Sequence, residues 1–99
     1  MAKQKPNAAT LKDWAQGFSL LSDKTRLSIL AELAKGPSNV GGLCKALKLK
    51  QPTISHHLGL LRMGRLVNGQ RQGKSVIYTT DKKALKELQT AVGKLTPSK

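Results

Sequence analysis

Only Lys48-Leu49-Lys50 separates two apolar patterns of helical spacing, Val40, Leu43, Ala46 and Leu47 before it and Ile54, Leu58 and Leu61 after it. A joint of three or four residues lets two helices meet only at a steep angle, about 90–120°, as in a helix-turn-helix. Ser38 is a candidate cap for the first helix, and Pro52 fits the first turn of the second, where its missing N–H is harmless. With Ile54, Leu58 and Leu61 turned inward, Gln51, Thr53, Ser55, His56 and Arg62 are left facing outward.

The flanking sequence supplies three more helices and a hairpin. Thr10 can cap a helix whose Leu11, Trp14, Phe18 and Leu21 form one stripe, available either to the core or to a second subunit. Ser22 or Asp23 can cap the next, in which Leu27, Leu30, Leu33 and Ala34, joined by Ile29 and Ala31, predict a broad buried face ended by Gly36-Pro37. Asp23 and Arg26 stand three apart, a spacing for a weak surface ion pair without functional weight. Beyond the helix-turn-helix, the runs Leu66 to Arg71 and Ser75 to Thr80 flank Gln72-Gly73-Lys74 and read as a β-hairpin. Asp81 caps a last helix with Leu85, Leu88, Val92 and Leu95 in a nearly heptad stripe, which wants a partner. The first and last helices are therefore the candidate dimer interface, through Leu11, Trp14, Phe18, Leu85, Leu88 and Val92. Residues 1–9 and 96–99 are expected to be tails around one domain, 10–95.

Charge narrows the function. From Leu33 to Thr80 there is no carboxylate, yet Lys35, Lys45, Lys48, Lys50, Arg62, Arg65, Arg71 and Lys74 lie there, in a chain of 99 residues with net charge +13. Soluble surfaces normally intersperse both signs, so a one-sided field marks a partner of opposite charge, and nucleic acid is the common one. The outward set on the second helix is short and polar, and it is concentrated in the first two turns, where a recognition helix meets base edges. Gly59 on the same side either permits close approach to a phosphate backbone or is an idle surface glycine. The hairpin tip from Arg71 to Lys74 suits phosphates or a narrow minor groove, against the plainer reading of a solvated turn.

Other classes find no support. No apolar run approaches the length of a membrane span, and the polar, basic start lacks a signal-peptide core, so a cytoplasmic protein associated with the nucleoid is expected. Cys44 stands alone, without a disulfide partner, and reads as a packing residue. The five acids, Asp13, Asp23, Glu32, Asp81 and Glu87, are scattered, and Ser55 diverges from the adjacent His56 around the helix, so no catalytic constellation is expected.

Three stretches together resemble the ArsR/SmtB family of winged helix-turn-helix repressors, over about residues 18 to 86. They are Leu21-Ser22-Asp23-Lys24-Thr25-Arg26-Leu27-Ser28-Ile29-Leu30, then Gln51-Pro52-Thr53-Ile54-Ser55-His56-His57-Leu58 with Leu61-Arg62, and Arg71-Gln72-Gly73-Lys74 with Tyr78. The resemblance implies a mainly α fold of five helices plus a two-stranded wing, with room for a short third strand. It implies a homodimer that binds a palindromic operator in double-stranded DNA and represses transcription until an inducer, unidentified here, releases it. By that analogy Gln51, Thr53, Ser55 and His56 read bases or hold phosphates, flanked by Lys50 and Arg62, while Arg71, Gln72 and Lys74 carry the wing contact. His57 matches a family histidine that points sideways toward the core, where a structural hydrogen bond is favoured over a base contact.

The chain departs from the family where metal is sensed. Arsenic- and cadmium-sensing members resemble one another in a Cys-Val-Cys pair, and alignment on Leu43-Cys44-Lys45-Ala46-Leu47 puts Asn39 and Gly41 at its two cysteine positions. Zinc-sensing members bring Asp and His from the last helix, which has no histidine here. No metal and no cofactor is expected at those sites. Two other readings remain open: an architectural, nucleoid-associated protein of low sequence specificity, which equal displacement by any duplex would reveal, and a protein-interaction module, which absence of DNA binding at low salt would favour.

Overall fold

A computed structural model describes residues 6–97. Its elements run α1 (Ala8–Leu21), α2 (Lys24–Leu33), α3 (Val40–Leu47), α4 (Gln51–Met63), β1 (Val67–Gln72), β2 (Ser75–Thr80) and α5 (Lys82–Leu95), a winged helix-turn-helix. Side chains close four of the five helix N-termini. Asn7 Oδ1 accepts from Thr10 N–H at 2.8 Å, Asp23 from Arg26 N–H at 3.0 Å, Asn39 from Gly42 N–H at 2.8 Å and Asp81 from Ala84 N–H at 3.0 Å.

Two expected caps are thereby corrected. Thr10 lies inside α1 rather than before it, because Ala8 and Ala9 extend the helix upstream to an asparagine that caps at least as well as threonine. The expected tail of residues 1–9 is shortened accordingly, and its residues 1–5 lie outside the described ones. Ser38 does not cap α3 either; its backbone is committed elsewhere. Ser38 N–H donates to Tyr78 O at 3.1 Å and Tyr78 N–H donates to Ser38 O at 2.8 Å, a single bridge standing where a short third strand was expected.

The core joins Ile29, Leu30 and Leu33 of α2, Leu43 of α3, Ile54, Leu58 and Leu61 of α4, Leu66, Val67 and Leu88. The buried face of α2 is narrower than its composition suggests: Leu27 is 48% exposed, and Ala31 and Ala34 are also exposed. With α1, α3, α4 and β2 all packed against α2, only the strip through Leu27, Ala31 and Ala34 meets solvent.

The wing is antiparallel, with Val67 opposite Thr80 and Gln72 opposite Ser75, which leaves Gly73-Lys74 as a two-residue turn. Gly73 has φ +62°, the left-handed region that a tight hairpin turn requires. The passage from α4 into the wing is equally fixed. Arg65 adopts φ +64°, and its N–H donates to Arg62 O at 3.0 Å while Leu66 N–H donates to Leu61 O at 2.9 Å. Those two bonds over a buried Leu61–Leu66 pair make a Schellman ending, with arginine in the position usually held by glycine.

Candidate nucleic-acid interface

Along α4, burial alternates with exposure as the helical period requires. Ile54, Leu58 and Leu61 are buried, whereas Gln51, Pro52, Thr53, Ser55, His56, Gly59, Arg62 and Met63 are exposed. Every residue expected on the outward side is there. Gln51, Ser55, Gly59 and Arg62, spaced four, four and three apart, form one ridge on α4. Arg62 leans toward the wing, its Nη1 lying 3.2 Å from where a Cβ on Gly69 would stand.

Alone among the described helices, α4 has no side chain capping its N-terminus; Lys50 occupies that position and no acid stands in the first turn. Free backbone N–H groups beside a cation are arranged to receive a phosphate oxygen. Lys45, Lys48 and Lys50 before α4, and Arg71, Gln72 and Lys74 at the wing tip, are all exposed. Among the described residues Lys35 meets Glu32 at 3.2 Å and His57 lies 3.8 Å from Asp23, and none of these cations enters an ion pair.

The two histidines separate as their positions require. His56 is exposed, while the half-buried His57 sets Nδ1 3.3 Å from Arg26 Nη1. Arg26 in turn donates from Nε to Leu20 O at 2.8 Å and from Nη2 to Ser19 O at 3.4 Å, so one side chain ties the end of α1 and the start of α2 to α4. The spacing of Asp23 and Arg26 suggested a local ion pair, but the Arg26 side chain has partners across the fold and only its backbone meets Asp23. That backbone N–H holds the Asp23 carboxyl below the ordinary carboxylate range, opposed by desolvation and aided by the charges of His57 and Arg26. The cap is therefore at full strength above the ordinary carboxylate pKa and weakens as pH falls through the lowered one.

The expected dimer stripe is divided. Leu88 is buried against Gly17 of α1, and Phe18 and Leu85 pack on the same core, so these three serve the protomer. Leu11, Val92 and Leu95 are left 46%, 52% and 59% exposed. Trp14 is half-buried along an open groove of about 1000 Å³ between α1, α5 and the end of α4, beside a largely exposed Met63. Sequence reading missed Gly69, for which a glycine inside a strand was the available signal, and it paired Arg26 with Asp23 rather than with His57 and the end of α1.

Comparison with known proteins agrees with this geometry. A profile of the arsR family of bacterial regulatory proteins matches residues 23–68, from the α2 cap to the start of the wing. The chain is 34% identical to HTH-type transcriptional regulator Rv2034 of Mycobacterium tuberculosis over 82 residues, 83% of this chain and 77% of that protein. It is 47% identical to the arsenical resistance operon repressor of Escherichia coli over 64 residues, 64% of this chain but only 55% of that protein. In structure it is similar to a fragment of Mb0332 from Mycobacterium bovis, described as a homodimeric winged helix-turn-helix DNA-binding domain of a possible ArsR-family transcriptional regulator. There the TM-score is 0.76 and the identity 29%, covering 92% of this chain and 86% of that one. Among the described residues no helix is long and apolar enough to cross a membrane.

Proposed function

Given that the chain belongs to the arsR family of bacterial regulatory proteins, which are DNA-binding transcriptional regulators, we propose that it is a homodimeric repressor that sets α4 in the major groove of a palindromic operator. The wing then lies on the flanking backbone or minor groove. The observation that carries this reading is the row of short polar side chains on the first two turns of α4, within a stretch from residue 33 to 80 that has no carboxylate. Thr53, Ser55, His56 and Gln51 read base edges; Lys50, Arg62, Arg71, Gln72 and Lys74 hold phosphates. Twofold symmetry through Leu11, Val92 and Leu95 would space two copies of α4 by about 34 Å, one turn of B-DNA. Such a protein acts on chromosomal DNA in the cytoplasm.

Selection of bound duplexes from a random pool tests the reading directly. The expected product is a palindrome preferred over random DNA by about a thousandfold or more. Equal displacement by any duplex would instead make the protein an architectural coat. Within the interface, Thr53→Ala or Ser55→Ala is expected to weaken operator binding by about 1–3 kcal/mol and to relax preference at particular bases. Lys74→Ala should weaken all duplexes alike and lower the salt slope by about one. Uniform losses in both cases contradict the division of roles.

Gly59 has open space around it, so Gly59→Ala is expected to raise stability by about 0.5–1 kcal/mol in thermal melts. If the bare position lets α4 approach a strand closely, the same variant loses DNA affinity; undiminished affinity would make Gly59 an idle surface residue.

We further propose that the protein is not metal-responsive at the family's known positions. Asn39 spends its side chain capping α3, Gly41 offers no ligand, and α5 has no histidine. Calorimetry with Zn(II), Cd(II) and As(III) should give no stoichiometric binding that weakens DNA affinity.

A further inference from the structure

We propose that Arg62 and Arg71 form a paired-guanidinium seat for one DNA phosphate at the seam between α4 and the wing, with Gly69 as the residue that positions it. The proposal rests on the functional reading above and adds a subsite to it. Gly69 pairs with Tyr78 and Arg71 with Val76 across the hairpin, so strand alternation places all four on one face. A Cβ on Gly69 would stand 3.1 Å from Tyr78 Cε1, 3.1 Å from Val76 Cγ1 and 3.2 Å from Arg62 Nη1. Arg62 thus reaches from the last turn of α4 onto bare strand backbone.

Glycine is disfavoured inside strands and often marks a close approach there. Gly69 is absent from the positive-φ glycines, Gly36 and Gly73, so its backbone does not require glycine; an added Cβ would instead press on three side chains, Arg62 among them, each of which would have to give way. Arg71 follows two residues along the same face, about 7 Å away by strand rise. Two cations carried on one strand face repel each other, and an anion seated between them turns that repulsion into attraction. No carboxylate of the chain lies from residue 33 to 80, and neither arginine enters an ion pair among the described residues. A phosphodiester offers two unesterified oxygens, one for each fork. The seam lies at the C-terminal end of α4, away from the first two turns that meet base edges, which assigns these arginines to backbone rather than sequence.

The test is a double-mutant cycle read by anisotropy on random-sequence duplex DNA across a salt series. Arg62→Ala and Arg71→Ala should each lose about tenfold in affinity and about one unit of salt slope, and the double variant little more than either alone. Gly69→Ala should reproduce the Arg62→Ala loss in the otherwise native protein and be silent when added to Arg62→Ala. Additive losses, or native affinity for Gly69→Ala, overturn the proposal while leaving DNA binding intact. A native protein that ignores duplex DNA overturns it together with the functional reading. Circular dichroism monitors the fold, and should Gly69→Ala fail to fold, the Arg62 and Arg71 cycle decides alone.

Discussion

Val92→Asp combined with Leu95→Asp is expected to give a folded monomer by sedimentation and to lose operator affinity by about a hundredfold or more. Both residues are more than half exposed in the protomer, so the fold does not depend on them, whereas Leu88 on the same helix is buried against Gly17 and its loss would loosen α5 itself. Burying two carboxylates in an apolar contact without partners costs more than such an interface returns. Once the protomers part, the two copies of α4 no longer act at one another's effective concentration, a factor of about 10² to 10⁴ in linked binding. Circular dichroism should remain that of the native protein. A dimer that survives both substitutions would place the symmetry axis on another surface.

The second large effect concerns the anchor of the recognition helix. Ile54→Ala should destabilise the protein by about 2–5 kcal/mol, since the side chain is fully buried and sits between the two residues assigned to base edges. In a domain of this size that corresponds to a melting temperature lower by about 10–25 °C, a large share of ordinary stability. Added duplex should raise the melting point of the variant, because DNA binds only the folded state. A loss below about 1 kcal/mol in urea titration would show that α4 is held elsewhere than at Ile54.

What could be read from the chain before any coordinates follows physical lines. The helix-turn-helix was legible because two clear periodicities and a proline bracket a three-residue joint, and the hairpin because Gly73 marks its turn. Its cap positions were not. Ser38 and Asn39 are both capping types in adjacent places, and only the distant strand residue Tyr78, by claiming the Ser38 backbone, decides between them. Asn7 displaced Thr10 for a similar reason, since a local pattern does not fix how far a helix extends into an alanine pair. The stripe on α1 and α5 shows the same limit. Periodicity tells which residues share a face, but not that Leu88, Phe18 and Leu85 are covered by their own protomer while Leu11 and Val92 are left open. The cations were visible from composition; the approach of Arg62 to Gly69 and the reach of Arg26 to His57 exist only in the folded arrangement.

The ending of α4 bears on how a signal could act. Two backbone bonds and a buried leucine pair set the direction in which the chain leaves that helix, and the Ser38–Tyr78 bridge holds β2 from the opposite edge. Helix and hairpin are thus joined by paired backbone bonds rather than by a free linker. In the homodimer proposed above, a signal that frees the operator would therefore act on the angle between the two halves, shifting the reach of both along the duplex together.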